Sequence, residues 1–424
     1  MEQRTPGGAD EVAPTPAPTV TATPLLEPRD GLPDVVVDSR GLAAAIDALA
    51  GGDGPVAVDA ERASGYRYGQ RVYLVQLRRR GSRTWLVDPV PFDFDLSALQ
   101  PVLSGAEWVI HAASQDLPCL ADAGLRPVTV FDTELAGRLL GHPRVGLGPM
   151  VESVLGFSME KGHAAVDWSQ RPLPDDWLRY AALDVEVLLE LRDALHAELA
   201  AGEKLPWALE EFAHVAATAG PVQRQDPWRR TSGIHRVRAP RQLAAVRELW
   251  LARDRLARQR DLAPGRVLPD AAIVDAARSQ PGSVAELTAL PVFGGRANRR
   301  VSDVWLAALE QARALPDDAL PPPALAHDGP PPAKSWPDRD PEAARRLAAL
   351  RPAVAAIADE HRMPTENLLA PDTVRRLAWE PPDPPTQAGV SAVLGEHRAR
   401  RWQIALTAVP LGRALDRLTR DESG

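Results

Sequence analysis

The sequence predicts an α/β domain followed by all-helical bundles, from three observations. From Pro55 the chain runs through three short apolar strands parted by turn-like segments, and then alternates strand with helix. From Pro240 to about Leu315 every apolar stretch has helical spacing. A proline-rich stretch then leads to a further helical block from 341. A chain of 424 residues, at roughly 100 to 200 residues per domain, has room for all of these.

The first 33 residues carry Pro, Thr, Ala and Gly without a sustained period and are expected to be an unstructured tail. The α/β domain is assigned to 34–212. PVAVDAE, RVYLVQL and TWLVDP read as a β-meander, with RASGYRYGQ and RRRGSR as its turns. Leu96–Leu103 is expected as a short helix, Glu107–His111 as a strand, Ser114–Ala123 as a helix and Pro127–Phe131 as a strand. From Asp132 to about Leu199 helical spacing dominates, broken at Gly146, Gly148, Gly162 and the RPLP turn.

A basic connector covers 213–239, a helical bundle 240–315, a semi-rigid proline-rich linker 316–340 and a second helical domain 341–420. The two helical blocks share an order of Pro, Leu, Pro-Asp, apolar helix and Pro about 100 residues apart, which reads as a duplicated module.

Composition excludes several classes. Hydrophobic residues at 45% and charged ones at 25% are those of an ordinary globular chain rather than a disordered or fibrous one. No apolar run approaches the ~18 residues of a membrane span, so no membrane association is expected. The single cysteine, Cys119, can form neither an internal disulfide nor a thiolate metal cluster, and it reads as a small buried hydrophobe. A cytoplasmic setting is the expectation.

The net charge of -8 hides an uneven distribution. Residues 34–212 hold 16 basic against 27 acidic side chains. The stretch 221–240 reverses the sign, with Arg224, Arg229, Arg230, Arg236 and Arg238 against Asp226, and 241–313 adds 12 arginines against 8 acids. Grip on a polyanion is therefore expected downstream of the α/β domain.

Asp59 and Glu61 end the first strand two residues apart, so their side chains leave the same face of the sheet while Ala60 points the other way. Two such carboxylates repel unless a cation lies between them, and a hard divalent ion with oxygen ligands, Mg²⁺ or Mn²⁺, suits the site. A lone D-x-E is more often a solvated strand end, so partners are needed. Asp116 follows an apolar strand that ends at His111, and Tyr180 and Asp184 stand at i, i+4 on one helical face. Together these residues suggest a two-metal site.

At this point the chain resembles the DEDD superfamily of 3′–5′ exonucleases, and within it the ribonuclease D family. VAVDAE, HAASQDL and YAALD carry the three motifs, and FDTELAGRLLG, KGHAAVDWSQRPLP and WLRYAALDVEVLLEL resemble the connecting segments. Arg179 stands where the histidine subclass has its histidine, so Tyr180 places the chain with the tyrosine subclass. Residues 240–315 resemble the HRDC (helicase and ribonuclease D carboxy-terminal) domain, and 341–418 resemble a second copy. Ala60, where the family usually has a β-branched residue, and the wording SGYRYGQR are departures that touch no candidate ligand.

The resemblance implies a ribonuclease H-like fold and a metal-dependent 3′–5′ exoribonuclease. It would release nucleoside 5′-monophosphates from the 3′ ends of structured RNA such as transfer RNA precursors. Asp59, Glu61 and Asp184 would hold one divalent cation and Asp59 with Asp116 a second, while Tyr180 and Glu61 orient the attacking water. The alternatives are a DNA 3′–5′ exonuclease in repair and a non-catalytic nucleic-acid-binding scaffold.

All five residues precede Ala219, so a chain ending there is expected to keep the chemistry. Other candidates have two readings each. His111 is either a substrate contact or a hydrogen-bonded strand end. Tyr66, Arg67 and Tyr68 either stack on terminal bases or form a plain turn. Lys161 and Trp168 either touch phosphate or pack. Arg229, Arg230, Arg236 and Arg238 either grip RNA or solvate a connector. Asp132 reads as a helix cap.

Overall fold

The structure is a computed structural model. It describes residues 22–160, 162–163, 165–218, 220, 225–323 and 329–421. A six-stranded sheet forms the centre of the first domain, from β2 (Val35–Val36), β3 (Asp53–Arg62), β4 (Val72–Arg80), β5 (Trp85–Val87), β6 (Glu107–Ile110) and β7 (Thr129–Asp132). Its order is β2-β5-β4-β3-β6-β7. β3, β4 and β5 are the expected antiparallel meander, and β6 and β7 add parallel to β3.

Alternation along β3 divides the packing between two faces. Val56, Val58 and Ala60 pack with Val75, Leu77, Trp108 and Ile110 beneath Leu42, Ala45 and Leu49 of the Ser39–Ala50 helix. Ala57, Val109 and Phe131 face the opposite side, where helices Thr133–Leu140, Leu188–Ala201 and Leu205–Thr218 cover them. Asp59 and Glu61 belong to this second face.

That second core continues into the carboxy-terminal helices. Trp336, Leu347, Leu350, Ile357, Leu377 and Trp402 join Ala57, Val185, Leu195 and Phe212 in one buried cluster. Trp207 stacks on Trp402 with ring centroids 5.2 Å apart. Glu211, itself buried, accepts two hydrogen bonds from Arg400 at 2.5 Å and one from the Trp402 indole at 2.9 Å. The helical block 240–315 instead has its own core around Leu249, Ile273, Phe293, Trp305 and Leu309.

The two helical blocks repeat one another. Helices Pro240–Arg260 and Pro341–Glu360 are each followed by a four-residue helix, Pro264–Val267 or Thr365–Leu368. Each short helix ends on an extended leucine, Leu268 (φ -152°) or Leu369 (φ -154°), before helix Asp270–Ser279 or Pro371–Trp379.

The structure departs from the sequence expectations at the boundaries. The tail is not structureless throughout: β1 (Thr23–Leu25) pairs parallel with β8 (Phe157–Met159). Arg29 forks onto Glu190 and approaches Glu186, and Glu27 pairs with Arg179 at 2.9 Å. Residues 1–21 lie outside the described residues. β8 is a three-residue strand whose partner is 134 residues away (Thr23 opposite Phe157), so helical spacing around it concealed it.

The helix expected at Ser114–Ala123 divides into a 3₁₀ turn, Ala113–Gln115, and a helix, Leu117–Asp122. Of the expected basic connector 213–239, the described residues 213–218 and 225–239 carry helical structure and core contacts. Helix Leu205–Thr218 runs into it, and Trp228 and Val237 are buried in the bundle core. The end of the expected linker 316–340 is anchored: Trp336 is fully buried, and its indole donates to the Pro331 carbonyl at 2.7 Å.

Candidate active site

The helix Asp175–Glu186 starts at Pro174 with Asp175 and Asp176 in its first turn, where acids suit the positive end of the helix dipole. Its small buried residues Ala181 and Ala182 let it lie close against the sheet. Asp184 thereby reaches the end of β3, where Asp59, Glu61 and Asp184 each offer a carboxylate oxygen within 4.8 Å of the others.

The fourth acid is placed by a turn. After β6, Ala112 adopts a left-handed conformation (φ 58°), and the amides of Ala112 and Ala113 donate to Asp132 at 3.1 and 2.9 Å. Asp132 also caps the next helix by accepting from Glu134 and Leu135. It is thus the expected cap and also the residue that fixes the turn aiming Asp116 into the cleft, a second task that no local motif signals.

Burial sets the electrostatics. Removal from water holds Asp59 up at about 6 and Asp116, which also faces Asp59, up at about 8. Glu61 and Asp184 are raised well above the ordinary carboxylate range, first by burial and then by neighbouring acids. Tyr180 lies one turn before Asp184 on the same cleft wall, and burial first, then the neighbouring acid Asp184, push the phenol upward. These residues line a cleft of about 710 Å³.

Four buried carboxylates with all-oxygen donor atoms and raised proton affinity fit hard divalent cations, which would relieve the repulsion. Tyr180 can only orient and donate at neutral pH.

The remaining candidates divide. His111 lines the cleft, but its Nδ1 is bound to the Thr133 hydroxyl at 2.9 Å, and burial lowers it to about 4. It is neutral at pH 7. Trp168 does not reach the cleft: it is fully buried against Trp177, and its indole donates to the His163 carbonyl. Tyr66, Arg67 and Tyr68 are not a free stacking platform, because they dock on the 240–315 bundle. Tyr68 bonds Asp254 at 3.0 Å, Arg67 pairs with Asp261 at 3.6 Å, and Arg266 lies 4.2 Å over the Tyr66 ring.

Lys161 lies outside the described residues. Arg229 packs over Trp228, pairs with Asp226 and donates to the Pro322 carbonyl, and Arg236 approaches Asp275 at 3.8 Å. Arg230 and Arg238 are exposed. Arg62, at the cleft, is the residue that sequence reasoning missed: period-2 alternation assigns it to the other face.

Comparison with known proteins agrees with this geometry. A 3′–5′ exonuclease family model matches residues 33–200, an HRDC domain model 242–309, and a 3′ to 5′ exonuclease C-terminal domain model 329–415. Ribonuclease D of Escherichia coli (strain K12) is 34% identical over 275 residues, 64% of this chain and 72% of that protein. The chain belongs to the ribonuclease D family.

Among solved structures, a protein from Bifidobacterium adolescentis matches this chain with a TM-score of 0.86 at 35% identity, over 93% of this chain and 100% of that one. The crystal structure of Escherichia coli RNase D, described as an exoribonuclease involved in structured RNA processing, matches with a TM-score of 0.66 at 26% identity, over 91% and 98%. The ribonuclease H-like exonuclease domain followed by HRDC helices is therefore the architecture of this chain. Among the described residues no helix is long and apolar enough to cross a membrane.

Proposed function

We propose that this chain, a hydrolytic 3′–5′ exoribonuclease of the ribonuclease D family, removes nucleoside 5′-monophosphates one at a time from the 3′ ends of structured RNA, transfer RNA precursors above all. The observation that carries the reading is the convergence of Asp59, Glu61 and Asp184 within 4.8 Å, with Asp116 and Tyr180 in the same cleft. The related Escherichia coli enzyme, described as processing structured RNA, supports the substrate class.

In this reading Asp59, Glu61 and Asp184 would hold one divalent cation, Mg²⁺ or Mn²⁺, and Asp59 with Asp116 would hold a second. Bound there, such cations lower the pKa of an attacking water and offset charge on the departing 3′ oxygen. Tyr180, one turn from Asp184 and kept protonated, would orient that water together with Glu61. Neutral His111 borders the cleft as a wall residue without added charge. The exposed arginines of the connector, Arg230 and Arg238, grip the body of the RNA. A cytoplasmic setting belongs to the same proposal, resting on the one free, buried cysteine.

A time course on 5′-labelled RNA and DNA of the same sequence, with Mg²⁺, Mn²⁺ or chelator, tests the reading. A cation-dependent one-nucleotide ladder on RNA is expected. A ladder as fast on DNA points to a DNA exonuclease, and no ladder on either points to a binding scaffold.

A further inference from the structure

Strict alternation along β3 would send Arg62 to the face opposite Asp59 and Glu61. The pairing of β3 with β4 slips at this point, from Glu61 opposite Leu74 to Arg62 opposite Val72. The extra residue is Tyr73 of β4, left between these two pairs; at this irregularity the alternation fails, and Arg62 lines the acid cleft. Its Nη2 lies 3.2 Å from Asp116 Oδ1, and its Nη1 donates to the Gln115 carbonyl at 2.9 Å. The guanidinium thus ties the end of β3 to the turn that presents Asp116. Among the described residues no other arginine or lysine makes an ion pair with any of the four acids. Arg144, also on the cleft wall, faces Glu152 at 3.6 Å.

A guanidinium this close to Asp116 competes with any other cation for the same carboxylate, since like charges repel across a poorly screened cleft. Once displaced, it stays in the cleft on the end of β3. A guanidinium fork matches a phosphate, and the surrounding domain is otherwise acidic.

We propose that Arg62 is an exchangeable counter-cation: it occupies the Asp116 carboxyl in the metal-free chain, yields that group to a divalent cation, and then binds a backbone phosphate at the RNA 3′ end. The inference rests on the reading of the four acids as cation ligands. It makes Arg62 the link between loading of the acid cluster and capture of substrate.

The test is Mn²⁺ binding to the full chain without RNA, followed by electron paramagnetic resonance of free Mn²⁺, for the wild type, Arg62→Ala and Arg62→Lys. Removing the competitor is expected to tighten the weaker Mn²⁺ site about tenfold in Arg62→Ala, within the usual range of coupling between two ligands. Arg62→Lys keeps the charge, loses the two-point grip and is expected to fall between.

Phosphorothioate RNA that resists cleavage, measured at saturating Mn²⁺, is expected to bind about tenfold more weakly to Arg62→Ala. Wild-type Mn²⁺ binding with unchanged or weaker binding in both variants overturns the exchange. Unchanged RNA affinity in both variants overturns the phosphate contact. If the wild type itself binds no Mn²⁺, the reading of the acids fails and this inference falls with it.

Discussion

Tyr180 and Asp184 stand one helical turn apart, and both side chains line the candidate cleft. Tyr180→Phe removes a hydroxyl and little volume. It is expected to leave Mn²⁺ and RNA affinity near wild type and to slow the single-turnover rate about 10²-fold, the cost of a misplaced reactant. An unchanged rate would make Tyr180 a packing residue.

The acids make a second residue-scale prediction. Asp59 at about 6 and Asp116 at about 8 lie above the ordinary carboxylate value, so between about pH 4 and pH 8 the folded chain holds protons that the unfolded chain has released. Stability of metal-free protein must therefore fall as pH rises through that window. Its Tm is expected to be several degrees higher at pH 5 than at pH 8, and Asp116→Asn should shrink the difference. A Tm that rises over the same range would contradict the geometry.

At this scale Asp59, Glu61, Tyr180 and Asp184 were legible because they lie at a strand end or in a helical pair with fixed periodicity, whereas Asp116, on a turn, was legible through the motif HAASQDL. Arg62 was not, because a one-residue slip in β-pairing leaves no trace in apolar spacing. Trp168 and the Tyr66–Tyr68 turn had chemistry suited to RNA, yet tertiary neighbours use it for packing.

Among elements, the meander and the strand–helix alternation followed from apolar period alone. The β1–β8 pair did not, since its strands are three residues long and meet across the whole domain. The helical block near the carboxy terminus was also readable, but its attachment was not. Gly141 (φ 81°) carries its α-carbon against the Arg362 carbonyl, and a side chain there would collide. Glu211 holds Arg400 and Trp402 from beneath.

Glu211→Ala is expected to cost about 2–3 kcal/mol in denaturant unfolding, because it strands a partly buried guanidinium and an indole donor. A change below about 0.5 kcal/mol, the size of an ordinary surface substitution, would contradict the shared core. For the same reason a chain ending near Ala219 is expected to be poorly soluble, although it retains all five site residues: Phe212, Leu195 and their neighbours would lose the helices that cover them. A soluble, cooperatively folded fragment would refute this.

Over the whole molecule, charge and chemistry separate. The acidic domain holds the cleft, and the excess of arginine lies in 221–313. Of the four connector arginines, Arg229 is engaged with Trp228, Asp226 and Pro322, whereas Arg230 and Arg238 face solvent. Replacing Arg230 and Arg238 with Ala is expected to lower RNA affinity and to flatten the plot of log affinity against log salt by about one unit each. Arg229→Ala is expected to cost stability instead. Equal slopes for the double variant and wild type would remove the connector from the binding surface.

The central claim, that Asp59, Glu61, Asp116 and Asp184 form the active site of a cation-dependent exoribonuclease, is tested most directly by nucleotide release from a 5′-labelled RNA. The time course compares the wild type with each acid changed to its amide, in Mg²⁺ and in chelator. Wild type is expected to yield a one-nucleotide ladder with nucleoside 5′-monophosphates only when the cation is present, and each amide variant to be slower by about 10³-fold while still folded. A ladder that persists in chelator, or in two of the four variants at near wild-type rate, would contradict it.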